Sequence, residues 1–126
     1  MAERADGCNL FGDPAKVRAK LAVLHAHCAA VGRDPAEIEV THLSTALAGG
    51  TADEVATLTA ELRPGKVAPS KYGAGVGAGT VAEQIERYGA LADAGIETAI
   101  VRLPDLVRKP DAPARFAEVI AAFADE

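Results

Sequence analysis

The sequence predicts an α/β fold made of three parallel βα units. Short runs rich in β-branched and apolar residues alternate with amphipathic helical stripes, the pattern of parallel strands joined by right-handed crossovers. Most of the helices also open on a capping side chain or close at Gly or Pro, so many element boundaries are written into the sequence itself.

The chain starts on a strand-to-helix junction, Ala5-Asp6-Gly7-Cys8-Asn9-Leu10-Phe11-Gly12-Asp13-Pro14. Asp13 supplies the cap and Pro14 the first helical residue, where a missing N–H costs nothing. Val17, Leu21, Leu24, Cys28 and Val31 follow on one helical face, and Gly32 stops the helix. After Arg33-Asp34-Pro35, β-branched residues crowd into a second strand over Ile38–Leu47 that ends at Gly49-Gly50. Thr51-Ala52-Asp53-Glu54 is a capping box opening a short helix, with Val55, Leu58 and Leu62 on its buried side. Residues 63–79 read as a Gly/Pro-rich irregular loop carrying Lys66 and Lys71. A second capping box, Thr80-Val81-Ala82-Glu83, precedes the stripe Val81, Ile85, Tyr88 and Leu91. Gly95 closes that helix, Ile96–Leu103 is the third strand, and Pro104 ends it. A last helix carries Phe116, Val119, Ile120 and Phe123. The third strand is apolar on both faces, with Ala99, Val101 and Leu103 on one and Ile96, Thr98 and Ile100 on the other. Such a strand wants cover on both sides, and this chain offers helices for one.

At 126 residues the chain is read as a single domain, 1–126. Its net charge of −5 is spread along the sequence, which disfavours nucleic acid and anionic membranes as partners. No apolar run approaches the roughly 18 residues that a membrane span needs. The first residues lack the basic-then-apolar order of a signal peptide, so a cytoplasmic location is expected. Cys8 and Cys28 then read as reduced thiols that serve packing.

Two stretches resemble the luciferase-like monooxygenase superfamily, and within it the branch of deazaflavin (coenzyme F420)-dependent oxidoreductases. The first is the opening junction together with Val31-Gly32-Arg33-Asp34-Pro35-Ala36-Glu37-Ile38-Glu39. The second is Ala78-Gly79-Thr80-Val81-Ala82-Glu83-Gln84-Ile85, then Leu91–Val101 and Leu103-Pro104-Asp105. The resemblance covers nearly the whole chain, and neither motif is catalytic. It implies a TIM (β/α)8 barrel, a fold of roughly 250 residues, of which this chain holds strands six to eight as an open array. Two copies would supply six strands, too few to close such a barrel. In the family the flavin ring lies against the early strands and its phosphate in a glycine-rich loop before the part matched here. The resemblance therefore implies a truncated member of a hydride-transfer lineage, using coenzyme F420 or FMN, that neither binds the cofactor nor turns over alone. It also implies either a homo-oligomer or a missing N-terminal barrel half as partner. The alternative is a non-catalytic α/β module that binds a protein, or one subunit of a split enzyme.

In a barrel the working face lies at the C-terminal ends of the strands. Here that selects Asn9 to Gly12, Thr45 to Gly50, and Arg102 to Asp105. Arg102 has the chemistry to hold a phosphate or carboxylate of cofactor or substrate; its plain alternative is an ion pair with Asp105. Asn9 and Gly12 can contact a ring or merely complete the loop. Lys66, Lys71, Gly79 and Thr80 are the loop candidates, with a helix start at Thr80 that can attract an anion. The loop fits neither the Walker nor the dinucleotide spacing. His25, His27 and Cys28 do not converge on one helical face, so no metal site is expected. His42 and Ser44 share a face of the second strand, expected to line the barrel interior, without an acid to complete a nucleophilic triad.

Overall fold

Parallel pairing organises the chain from its first strand onward. The computed structural model describes residues 1–124. In order these form β1 (Gly7–Leu10), α1 (Pro14–Val31), a 3-10 turn (Pro35–Glu37), β2 (Glu39–Thr45) and β3 (Leu47–Gly49). Then follow α2 (Ala52–Leu62), α3 (Pro69–Gly75), β4 (Ala78–Thr80), α4 (Val81–Asp93), β5 (Thr98–Arg102) and α5 (Ala112–Ala121). One sheet has the order β1-β2-β5, and a second pairs β3 with β4. The fold is thus α/β with parallel strands, as the sequence predicts.

The backbone divides into two compact units, Met1–Ser44 with Tyr88–Ile100, and Thr45–Arg87 with the segment from Val101 on. In the first, β1 and β2 run parallel with Cys8 opposite Val40 and Leu10 opposite His42. α1 starts as expected: Pro14 occupies its first turn, and the Asp13 carboxylate accepts the Lys16 amide at 2.9 Å. It ends at Gly32, whose φ of 70° lets the Gly32 and Arg33 amides reach back to the Ala29 and Cys28 carbonyls. Val17, Leu21, Leu24 and Cys28 are buried, whereas Val31 stays 45 % exposed at the last position of the stripe. Beyond α4, the Glu97 amide donates to the Val40 carbonyl at 3.0 Å, which sets β5 beside β2.

In the second unit, β3 and β4 pair in parallel from Leu47 opposite Ala78 to Gly49 opposite Thr80. α2 buries Leu58 and Thr59, while Val55 and Leu62 are half-buried. α5 buries Ala112, Phe116 and Val119. Ile120 is 61 % exposed, and Phe123 falls past the helix end.

Three expectations need correction. The single strand over Ile38–Leu47 is two strands, because the backbone changes partner within one residue. The Ala46 amide donates to Arg102 and the Leu47 amide to Gly77. The segment 63–79 is not irregular throughout: it holds α3 and the start of β4. α3 carries two glycines, which lower helix propensity. Gly73 is nevertheless buried, and a Cβ there would lie 3.4 Å from the Thr59 methyl, at ordinary contact distance from α2. The third strand is shorter than Ile96–Leu103, covering Thr98–Arg102. Among the described residues no helix is long and apolar enough to cross a membrane.

Candidate functional site at the strand ends

Alternation along β2 decides which side chains face the helices and which stand on the open face of the sheet. Val40, His42 and Ser44 are buried, and Thr41, Leu43 and Thr45 are half-buried. The Ser44 hydroxyl bonds the Tyr88 hydroxyl of α4 at 2.7 Å. His42 and Ser44 therefore lie on the helix-covered face, not on an interior face, which corrects the sequence reading. There the Ser44 hydroxyl finds the Tyr88 hydroxyl and His42 Nε2 the Gly12 carbonyl.

At the end of β1, Asn9 is exposed and its Oδ1 accepts a hydrogen bond from the Thr41 hydroxyl at 2.9 Å. Gly12 takes a φ of 105°, open to glycine, and its carbonyl accepts from His42 Nε2 at 2.8 Å. A carbonyl only accepts, so this bond places the proton on Nε2. The other ring nitrogen, Nδ1, is buried without a protein partner. Asn9 and Gly12 thus stand on the first unit, with His42 fastening the turn after β1 from below.

The other candidates belong to the second unit, where Thr45 is the centre. Its carbonyl accepts from Arg87 Nη1 at 3.1 Å, and its hydroxyl lies 3.4 Å from Arg102 Nη2. Arg87 also reaches Gln84 Oε1 at 3.4 Å, and the Gln84 amide is anchored on the Gly77 carbonyl at 2.6 Å. Gly77 has a φ of 61°, and a methyl group there would overlap the Arg87 guanidinium and lie 2.5 Å from the Thr45 carbonyl oxygen. Gln84, 1 % exposed, and Arg87 are functional-site neighbours that the sequence reading missed. A signal was present: Gln84, Tyr88 and Leu91 are spaced i, i+4, i+7, as buried positions of α4 should be.

Arg102 does not pair with Asp105. Asp105 is 1 % exposed and is held by Arg115, which also bonds Asp111 and donates to the Ala48 carbonyl at 3.2 Å. The hydrogen bond from Arg115, followed by the Asp111 backbone, holds the exposed Asp111 carboxyl below the usual aspartate value. Arg115 is a structural hub; Arg102 is exposed and free of any carboxylate within 4.0 Å among the described residues.

Lys66 and Lys71 are exposed on and before α3. Gly79 and Thr80 close β4, and the Thr80 amide donates to Glu83 at 2.7 Å while the Glu83 amide returns to the Thr80 hydroxyl. The start of α2 is engaged likewise, with the Gly50 amide on Glu54 at 2.8 Å. Both helix starts therefore receive their negative charge from within the chain. His25 and His27 are exposed and Cys28 is buried; among the described residues no group of three metal-ligating side chains converges.

No family model matches the chain, and no curated protein matches its sequence. Solved structures match its shape. One is an F420-dependent secondary alcohol dehydrogenase in complex with an F420–acetone adduct, with a TM-score of 0.71 at 16 % identity, covering 96 % of this chain and 44 % of that one. Another is a coenzyme F420-dependent tetrahydromethanopterin reductase from Methanopyrus kandleri, with a TM-score of 0.57 at 13 % identity, covering 94 % of this chain and 43 % of that one. The likeness is one of fold. The chain spans less than half the length of either structure.

Proposed function

We propose that this chain is the part of an F420-type hydride-transfer barrel that carries strands six to eight and one wall of the mouth. The observation that supports the reading most is the match of almost the whole chain to less than half of an F420-dependent dehydrogenase, with a TM-score of 0.71. The exposed β5 fits it, since a barrel needs further strands and interior side chains beside that edge. In this reading Asn9, Gly12 and Arg102 stand at the working ends of the strands, and the protein acts in the cytoplasm.

Coenzyme F420 supplies the hydride chemistry when bound. The two helix starts that carry capping boxes offer its phosphate no open amides, because Glu83 and Glu54 already occupy them. Holding the cofactor then falls to other residues of the barrel, and this chain supplies part of the substrate-facing wall. Mapping the transcript upstream of Met1 tests the proposal. Coding sequence for further βα units is expected, and the joined product should bind F420 at micromolar concentration where this chain alone does not. Micromolar binding with hydride transfer by this chain alone would overturn the partial-barrel reading; a joined product that ignores F420 would overturn the lineage.

A second reading is favoured by the exposure of Ile100, at 47 %, on β5: a non-catalytic module that binds a protein partner there. An upstream region with no related coding sequence favours that module.

A further inference from the structure

We propose that Arg102 and Thr45 form a binding site for an oxyanion, a phosphate or carboxylate group of a ligand, with Arg87 holding the Thr45 backbone in place behind it. The proposal deepens the reading above, on which it rests only in taking the strand ends as the working edge.

Arg102 is the last residue of β5, and its carbonyl accepts the Ala46 amide at 3.0 Å. The backbone ladder thus fixes the root of its side chain next to Thr45. A guanidinium has five N–H donors. Among the described residues the Arg102 side chain has one partner, the Thr45 hydroxyl, at the long distance of 3.4 Å. The nearest acid in sequence that could have neutralised it, Asp105, is buried against Arg115. An exposed guanidinium with most donors unused, beside a hydroxyl that accepts from it and retains its own proton, presents two kinds of donor to one small anion. Charge-assisted bonds of this type are the stronger ones in proteins.

Arg87 contributes differently. It is half-buried, and its Nη1 is engaged by the Thr45 carbonyl and by Gln84, which is itself anchored on Gly77. It adds positive potential behind Thr45 and fixes the backbone from which the hydroxyl projects. The chain as a whole carries a charge of −5, so the positive character here is local rather than general.

The test titrates the purified full chain with inorganic phosphate and, separately, with succinate. Sodium chloride keeps the ionic strength constant, and the Arg102 Nε–H resonance reports binding by NMR. Saturable shifts of that resonance with either anion are expected, and the anion that binds more tightly identifies the group. Arg102→Gln should weaken binding about tenfold and Thr45→Val about threefold, with Arg102→Lys between wild type and Arg102→Gln. Circular dichroism confirms that each variant remains folded; Arg102 is exposed and Thr45→Val keeps the side-chain shape. Absence of saturation with both anions, or equal affinity of wild type and Arg102→Gln, overturns the proposal. So do shifts centred on Lys66 and Lys71. F420 is not present in the experiment. Phosphate binding by this chain, with a joined product that ignores F420, therefore removes only the earlier reading; no anion binding here, with a joined product that binds F420, removes only this one.

Discussion

β2 and β5 are neighbours in one sheet, yet their burial runs against their composition. β2 carries Thr41, His42, Ser44 and Thr45, and it buries His42 and Ser44 to 2 % and 8 % exposure. β5 carries Ala99, Ile100 and Val101, of which only Val101 is even half-buried. The middle strand has a strand on either side and gives its buried polar groups partners: the Gly12 carbonyl for His42 and the Tyr88 hydroxyl for Ser44. The last strand in the order β1-β2-β5 has one neighbour. Hydropathy alone does not decide what is covered: the edge strand β1 buries Cys8 and Leu10, while the edge strand β5 leaves Ile100 exposed. The two arginines near β5 divide the same way: Arg115 is enclosed by carboxylates, and Arg102 is open.

The largest effect expected is at the enclosed arginine. Arg115→Ala leaves the buried Asp105 without its counter-charge and should cost about 3–5 kcal/mol in urea denaturation. Arg102→Gln should stay within about 0.5 kcal/mol. Equal costs would break the distinction between a structural and an available arginine. Next comes the strand comparison itself. Ile38, fully buried just before β2, should lose about 2–5 kcal/mol as Ile38→Ala. Ile100→Ala on β5 should change stability by no more than about 0.5 kcal/mol in dilute solution. Unpaired strand edges associate, so light scattering at high concentration should show oligomers. A cost at Ile100 that matches Ile38 even in dilute protein would mean that β5 is covered in solution.

The parts of this fold that were legible in the sequence are those where one residue type does one local job. Asp13 with Pro14, Gly32, Thr51 and Thr80 each mark a helix boundary where the structure has one. The parts that were not legible depend on contacts distant in sequence. α3 forms with Gly73 buried beside Thr59 of α2, although its two glycines argue locally against a helix. The break after Thr45 reflects a change of hydrogen-bond partner from Arg102 to Gly77, which no property of Ala46 announces. For the site, Arg102 was visible as a cation at a strand end. Its freedom from Asp105 was not, because that depends on Arg115 ten residues further along.

A smaller and more local effect sharpens the role of the Thr45 region. Gly77→Ala puts a methyl group against the Arg87 guanidinium and the Thr45 carbonyl at a backbone φ of 61°. The left-handed backbone alone should cost about 1–2 kcal/mol, and displacement of Arg87 should add to it. If the inference about Thr45 holds, the same substitution weakens phosphate binding although residue 77 lies outside the proposed ligand contacts. Unchanged phosphate affinity in a folded Gly77→Ala protein would show that Arg87 does not position Thr45.

The smallest effect is a pH dependence at the edge of the Arg115 cluster. Asp111 is fully exposed, and its carboxyl is held below the usual value first by the hydrogen bond from Arg115 and then by its own backbone. A carboxyl lowered in the folded state favours folding above its unfolded pKa of about 4. That contribution disappears as pH falls through the lower folded value, where both states are protonated. Asp111→Asn should therefore lower the Tm slightly at neutral pH, and the gap to wild type should close on acidification below about pH 4. Arg115 keeps Asp105 and the Ala48 carbonyl in the variant, so the loss at neutral pH should be far below that of Arg115→Ala. A gap that stays constant through acid would mean that the Asp111 side chain contributes by something other than its charge on Arg115.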